Sequence, residues 1–205
     1  MMLPQLLVQA RACRICEPEL PRGCRPLIQG SAQSRIVVIG QAPGAAAHES
    51  GVPWDDRSGA RLRAWLDVSD DEFYDPDLFA LMPMGFCYPG TGKRGDLPPR
   101  PECAPEWHDR LLEGFRSVSL IVIIGKHAFE RYLVDQHDTL TAGVRAFGDL
   151  LPDRVALPHP SPRNNIWLKR NPWFESEVLI ALRARVRGLL DATRNRRQRY
   201  TQQDI

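Results

Sequence analysis

A histidine enclosed by prolines is the residue in this sequence best placed to do chemistry. It lies in the segment 158–162, Pro-His-Pro-Ser-Pro, directly after a short apolar run. Prolines fix the backbone φ angle, so they suit a histidine that must be held in one pose. A lone histidine is often only structural, but three prolines around His159 in a loop after a strand favour function. Polar side chains follow this histidine at Ser161, Arg163 and Asn164.

A glycine-rich loop is the second candidate. The run Gly40-Gln41-Ala42-Pro43-Gly44 also follows apolar residues, and His48 and Trp54 come shortly after it. Glycines let the backbone approach a ligand closely and turn N–H groups toward it. Gln41 is the polar side chain of this loop, and Trp54 offers an aromatic face. Taken alone, the loop is as typical of an ordinary tight turn as it is of a ligand-binding loop.

Five cysteines form a third pattern. Cys13 and Cys16 are separated by two residues, and fifteen residues separate Cys87 from Cys103. In a reducing compartment such cysteines are metal ligands or buried thiols more often than disulfides. These four can supply thiolates to an iron–sulfur cluster or to zinc, or they are four unrelated buried thiols. Cys24 has no partner in this scheme, and we expect it to be a plain small hydrophobic residue.

The elements that must position these residues alternate between strand and helix. Apolar runs predict strands at 35–39, 78–84, 120–124 and 155–157, and helical spacing predicts helices between them, one running from an N-cap at Ser58. This alternation predicts an α/β fold, a three-layer α/β/α sandwich around a central, mostly parallel sheet of four to five strands. Ligands bind beyond the carboxyl ends of such strands, so we expect the strand-ending loops to meet there.

Length and composition indicate one domain followed by a short extension. The chain has 205 residues, of which 43% are hydrophobic, and a net charge of only +2, which excludes a uniformly basic nucleic-acid coat. We expect a single domain over 1–190 and a basic, disordered tail over 191–205. The end of the chain carries an arginine cluster that either contacts phosphates or forms a solvated helix face. It consists of Arg183, Arg185, Arg187, Arg194, Arg196, Arg197 and Arg199.

The absence of long apolar runs bears on localisation. No stretch approaches the ~18 apolar residues of a membrane span, and the N-terminus has no signal-peptide pattern. We therefore expect a cytoplasmic protein that makes no membrane contact, and we expect it to be a monomer.

Taken together, the two loops resemble the signature motifs of the uracil-DNA glycosylase superfamily. The run 40–44 is similar to the first motif, and 159–162 is similar to the second. The segment Gly51-Val52-Pro53-Trp54 looks like the one that supplies the family's base-stacking aromatic residue. The cysteine spacing is similar to that of the family's four-cysteine, iron–sulfur branch. The resemblance covers positions 10–190, with several unrelated motifs in the same order.

This resemblance implies a DNA glycosylase that hydrolyses the N-glycosidic bond of a flipped uracil or another damaged base in DNA. Trp54 would stack on the base, and His159 would donate to the base oxygen that gains negative charge. Ser161 and Arg163 would hold the flanking phosphates. The family also inserts a wedge residue into the vacated DNA stack, for which Trp167 and Leu168 are candidates unless they pack internally. A [4Fe-4S] cluster, with zinc as the alternative, would be held by Cys13, Cys16, Cys87 and Cys103.

Two departures from the family pattern bear on the activity. Some branches have an acid in the first motif to orient water, where this sequence has Gln41, Ala42 and Ala47. Gln41 can position water or contact the base, but a neutral amide cannot serve as a general base. The nearest titratable residues are His48, Glu49, Asp55 and Asp56. The four-cysteine branch reads uracil with an asparagine four residues before its third cysteine, where this sequence has Pro83. The alternatives are therefore a glycosylase, a non-catalytic nucleic-acid- or base-binding protein of the same fold, and an enzyme of free nucleosides.

Overall fold

The structure, a computed structural model, describes residues 2–93 and 95–203. Its central sheet consists of β1 (Ile36–Ile39), β2 (Phe79–Leu81), β5 (Leu120–Ile124) and β6 (Arg154–Leu157), while β3 (Thr91–Gly92) and β4 (Gly95–Asp96) form a separate antiparallel hairpin. The sheet order is β2-β1-β5-β6, and all three pairings are parallel. β1 and β2 are buried along their whole length, as expected for a parallel sheet covered on both faces.

Ten α-helices surround this sheet in the part of the chain that the structure describes. They are α1 (Leu3–Arg11), α2 (Ala45–Ser50), α3 (Arg57–Leu66), α4 (Asp70–Tyr74), α5 (Cys103–Gly114), α6 (Gly125–Tyr132), α7 (Leu140–Arg145), α8 (Phe147–Leu150), α9 (Asn165–Arg170) and α10 (Leu179–Gln203). A π-helical turn, Phe174–Val178, precedes α10. The fold is thus the α/β class predicted from the sequence, with four strands in the sheet.

The order of the strands determines where a ligand can bind. The chain passes from β1 to β2 on one side, then returns to place β5 and β6 on the other side of β1. The winding direction therefore changes between β1 and β5, and a crevice opens there beyond the carboxyl ends of the strands. The loops that follow β1, β2 and β6 all begin at this end.

The four strand predictions are confirmed, although two strands begin one residue away from the predicted start, at Ile36 and Arg154, and a third is clearly shorter. The predicted strand 78–84 is shorter in the structure, Phe79–Leu81. Hydrogen bonds to the β1 segment nevertheless continue beyond it, because Met82 donates its N–H to Val38 at 2.9 Å and Met84 donates to Gly40 at 2.8 Å. Pro83 lies between these two donors and lines the crevice.

In the tail that we expected over 191–205, helix α10 continues past Asp191 as far as Gln203, and residues 204–205 lie outside the described part of the chain. Its arginines bond to the body of the protein. Arg194 pairs with Glu72 at 2.5 Å, and Arg197 pairs with Asp75 at 2.9 Å. Part of the arginine cluster is therefore bonded within the fold, because Arg194 and Arg197 pair with acidic residues of α4 and the turn after it, although both side chains remain about half exposed.

None of the helices within residues 2–93 and 95–203 has the length and apolar character required to cross a membrane.

Candidate active site

A cavity of about 550 Å³ occupies the crevice at the carboxyl ends of the strands. It is bounded by the two loops that the sequence singled out, together with α3, the β3–β4 hairpin and the turn after β2. Its lining residues are Gln41, Ala42, Pro43, Gly44, Ala47, Pro53, Trp54, Asp56, Ser58, Pro83, Asp96, His159, Ser161, Pro162, Arg163 and Asn164. The structure thus brings nine of the eleven predicted catalytic and base- or DNA-binding residues into one cavity; Gly40 and His48 lie outside it.

His159 is held firmly at the end of β6. Its Cβ packs against Gly125, and Asn164 Nδ2 donates to the His159 carbonyl at 2.7 Å, which closes the proline-rich loop. Burial lowers the pKa of His159, and this outweighs the opposing effect of Asp56; Arg163 lowers the pKa further and Asp96 raises it. The imidazole is therefore neutral at pH 7 and can donate one N–H to a ligand without carrying charge.

The indole of Trp54 stacks against this imidazole, with 5.9 Å between ring centroids and 30° between planes. Two glycines make room for the tryptophan. A Cβ on Gly40 would lie 2.5 Å from Trp54 Cζ2, and a Cβ on Gly59 would lie 1.7 Å from the Trp54 carbonyl oxygen. Trp54 also has a φ of 59°, which is uncommon for a bulky residue. Gly40 therefore shapes the site from behind Trp54, although it does not line the cavity.

Gln41 has a structural contact that the sequence did not suggest. Its Nε2 donates to the carbonyl of Leu97 at 3.2 Å, so the first loop is tied to the segment that leaves the β3–β4 hairpin. Arg163 approaches the same hairpin from the other side, because a Cβ on Gly95 would lie 2.0 Å from its Nη1. The hairpin is thereby held between the two signature loops as one wall of the cavity.

Two carboxylates that the sequence did not place in the site line the cavity. Asp56 Oδ1 accepts the N–H of Gly59 at 2.7 Å and caps α3. The sequence had suggested Ser58 as the N-cap of α3, but the N-cap is Asp56, so the helix begins two residues earlier. Asp96 comes from β4. Asp56 was visible only as a nearby titratable residue, and Asp96 gave no sequence signal because its position depends on the hairpin.

The wall next to β2 contains Pro83, whose carbonyl is already bonded. His108 is fully buried, its Nε2 lies 3.0 Å from the Pro83 carbonyl oxygen, and its Nδ1 lies 2.6 Å from the Tyr132 hydroxyl. Since a carbonyl can only accept, Nε2 carries the proton and Nδ1 accepts from Tyr132. Pro83 therefore offers no N–H to a ligand, and its carbonyl is engaged by His108.

Burial lowers the pKa of His108 from 6.5 to about 4, although its hydrogen bond to Pro83 acts in the opposite direction. Between these values the unfolded chain takes up a proton that the folded protein does not. We therefore expect the free energy of unfolding to fall from pH 6.5 to pH 4 by about 3 kcal/mol. Urea unfolding at a series of pH values should show that His108→Gln is less stable than wild type at pH 7. Its free energy of unfolding should also change less with pH between pH 6.5 and pH 4. His137→Gln should keep the wild-type slope; an unchanged slope in His108→Gln would assign the effect to other groups.

His48, a catalytic candidate in the sequence, does not line the cavity. It is buried on α2, and its ring tilts against Tyr88 with 5.9 Å between centroids. Burial, followed by the charges of Arg25 and Arg22, lowers its pKa. This placement is that of a structural histidine.

The residues after the His159 loop divide into packed and exposed side chains. Trp167 donates from Nε1 to Thr141 Oγ1 at 2.9 Å and packs edge-on against Trp173 and Phe174. Leu168 also packs against the core. The structure therefore supports internal packing for both. Ile166, which the sequence reasoning missed, is 66% exposed on α9.

All five cysteines line a second, small cavity of about 20 Å³, beside Phe86 and Arg100. Cys24, which we expected to be a plain small hydrophobic residue outside the ligand scheme, lines the same cavity as the other four. Burial raises the pKa of Cys87 and of Cys103 to about 12, so without a nearby cation both are protonated.

The thiols have the donor chemistry of a metal centre, but in this structure their sulfur atoms are not arranged around a metal ion. Soft thiolate sulfur is the donor that iron–sulfur clusters and structural zinc sites use. Within residues 2–93 and 95–203, however, no three His, Cys, Asp or Glu side chains are arranged to hold a metal ion. A cavity of this size holds about one water molecule, so the side chains would have to turn outward around a larger group.

A comparison with known families agrees with the site just described. The family described as Uracil DNA glycosylase superfamily matches residues 27–183, which include all four strands of the sheet and every residue of the large cavity. The chain therefore belongs to the uracil-DNA glycosylase superfamily.

Proposed function

We propose that this protein hydrolyses the N-glycosidic bond of a damaged base that has been flipped out of DNA. One observation carries the proposal: a neutral, rigidly held His159 faces the same cavity as the aromatic ring of Trp54. A flipped base needs an aromatic face on which to stack and a donor for the oxygen that becomes negative as the bond breaks. The cavity of about 550 Å³ is large enough for a nucleotide.

The other residues of the cavity have complementary roles. Ser161 and Arg163 lie on the rim next to His159 and are suited to the phosphates on either side of the flipped nucleotide. Arg163 also packs on Gly95, so binding DNA would be coupled to the position of the hairpin. The first loop, from Gly40 to Gly44, supplies the close backbone approach on the opposite side.

The identity of the base is the finer part of the proposal. Uracil is the first substrate to test because the family implies it. The wall at Pro83, however, has no side-chain donor or acceptor, and His108 occupies its carbonyl. Bases that do not depend on a polar contact there, including hypoxanthine and xanthine, are therefore the next substrates.

Oligonucleotides that each contain uracil, hypoxanthine, xanthine or a mismatched thymine test the activity. Incubation with excess enzyme followed by alkaline cleavage reveals abasic sites. We expect at least one of these substrates to yield an abasic product, whether it is presented in single-stranded DNA, in duplex DNA or in both. Tight binding to such DNA without any abasic product would support a non-catalytic base-binding protein. Release of base only from free nucleosides would support an enzyme of free nucleosides.

We propose Ile166 as the residue that enters the DNA stack when the base leaves it. Proteins use apolar wedges in this way, and Ile166 is the large exposed apolar side chain nearest in sequence to the His159 loop. Ile166→Ala should slow base release from duplex DNA roughly tenfold, since burying such a side chain contributes about 1.5 kcal/mol or more. Release from single-stranded DNA should change little.

The matched control is Ile180→Ala, which removes an equally exposed isoleucine, 62% exposed, from α10. It should leave both rates unchanged. Equal losses on duplex and single-stranded DNA in Ile166→Ala would argue against a wedge.

We propose that Cys13, Cys16, Cys87 and Cys103 hold a structural [4Fe-4S] cluster. Such a cluster would link the segment after α1 to the start of α5 and close a long loop, where a covalent or metal clip stabilises most in principle. Protein purified without oxygen should be brown and contain iron and sulfide in near-equal amounts. Cys87→Ser or Cys103→Ser should bleach it and lower its melting temperature.

Cys24→Ser is the control for this experiment, because Cys24 lines the same cavity but lies outside the proposed ligand set. It should keep the colour and the iron content. A colourless protein with one zinc ion per chain would replace the cluster with zinc, and five metal-free thiols in freshly prepared protein would exclude both.

A further inference from the structure

The carboxylate of Asp96 has a position in the large cavity that the activity proposed above does not yet explain. Its Oδ2 lies 3.6 Å from the point that a Cβ on Gly44 would occupy, and Asp56 Oδ2 lies 3.7 Å from the same point. Both acids therefore approach the backbone of the first loop, whose own side chains include no acid. The negative charges of both acids also raise the pKa of His159, against the effect of its burial.

The two carboxylates differ in how they are bonded. Asp56 Oδ1 accepts the N–H of Gly59 at 2.7 Å, so this side chain is needed to begin α3. Asp96 Oδ1 accepts only a longer hydrogen bond, 3.4 Å, from the Thr91 hydroxyl. Its other oxygen has no bonded partner among the described residues. Asp96 is thus the carboxylate better able to bind a water molecule.

The hairpin that carries Asp96 is fixed relative to both signature loops. Leu97, the residue after Asp96, donates its N–H to Gly90 at 2.8 Å and accepts from Gln41 at 3.2 Å. Gly95, the residue before it, packs on the guanidinium of Arg163. The neighbours of Asp96 on either side therefore hold it between the loop of Gln41 and the loop of His159.

We propose that Asp96 is a catalytic residue that orients and deprotonates the attacking water. The inference rests on the proposed glycosylase activity. The water oxygen bonds to the sugar carbon C1′, the C1′–N bond breaks, and its electron pair leaves with the base. One water proton passes to the Asp96 carboxylate and then to solvent, and the base anion, stabilised by the His159 N–H, takes a proton from solvent. The acid absent from the first loop is in this way supplied by the hairpin.

The test uses the full protein with the oligonucleotide that the wild type cleaves fastest, under single-turnover conditions at saturating enzyme. Asp96→Ala and Asp96→Asn should each lose about 100-fold or more in rate, as expected when a general base is removed. Their affinity for the same DNA carrying a 2′-fluoro sugar, which resists cleavage, should stay within about twofold of wild type. Asp71→Ala, which removes an exposed acid on α4 outside the cavity, should keep the wild-type rate.

Sodium formate provides a readout that a purely structural role would not change. A small carboxylate can occupy the space left in Asp96→Ala, so formate should restore the rate at least about tenfold and saturably, while sodium chloride at equal ionic strength should not. Loss of rate without rescue would make Asp96 a structural residue of the hairpin and overturn the proposal. Wild-type rates in both Asp96 variants would overturn it as well, with the glycosylase activity intact. A wild type that releases no base from any DNA would overturn the activity itself and this role with it.

Discussion

His159→Ala should lower the single-turnover rate of base release about 10²–10³-fold, because it removes the donor that stabilises the departing base. The loss should lie in the rate and not in DNA affinity, since Ser161 and Arg163, which we propose bind phosphates, are unchanged. Burial lowers the pKa of His159, so the neutral imidazole is the donor at pH 7. The measurement is the rate of abasic-site formation at saturating enzyme on the best substrate.

His127→Ala is the control, since it removes a histidine from α6 outside the cavity and should leave the rate unchanged. A folded His159→Ala protein that releases base at nearly the wild-type rate would remove His159 from the mechanism. The proposed function would then need a different donor in the same cavity.

Gly59→Ala should lower the free energy of unfolding by about 3 kcal/mol or more, and it should abolish base release in whatever protein folds. The added Cβ would lie 1.7 Å from the carbonyl oxygen of Trp54, which is backbone and cannot swing aside. The chain at Trp54 would have to move, and the indole that stacks on His159 would move with it. Denaturant unfolding and single-turnover kinetics measure the two effects.

Gly188→Ala makes the same change in a helix with nothing within 4 Å of the new Cβ. An unstrained alanine in a helix is favoured by about 0.5–1 kcal/mol, so this variant should be slightly more stable than wild type. Similar changes in stability for the two variants would mean that the contact between Gly59 and Trp54 is not tight.

The sequence was sufficient for the sheet and for the loops that end its strands. The strand 120–124 was predicted with its observed bounds, because an unbroken run of β-branched and leucine side chains suits burial on both faces. The two signature loops were found because glycine and proline mark strand ends strongly. Parallel pairing then places these loops at one end of the sheet without any knowledge of side-chain contacts.

The rest of the site depends on contacts between residues distant in sequence, which local patterns do not reveal. Asp96 lies in a hairpin of two-residue strands, too short for any periodicity, and it reaches the cavity only because Gln41 and Arg163 hold that hairpin. The exposure of Ile166 beside the packed Trp167 is decided by α7 and the π-helical turn, not by its neighbours in sequence. The continuation of helix α10 to Gln203 has no local sequence signal for the same reason, since its acidic partners lie more than a hundred residues earlier.

The internal pairing of the α10 arginines changes how this protein should search along DNA. A cation releases counterions from DNA only if it is available to neutralise a phosphate, at about 0.9 per contact. Arg187 and Arg194 share Glu72, and Arg197 binds Asp75 and Asp77, so these charges are already neutralised within the fold. Non-specific affinity should therefore depend only weakly on salt concentration, less than a count of arginines suggests. Under the proposed function, recognition should then rely on the energy gained when a base enters the cavity, and an undamaged duplex should be held only briefly.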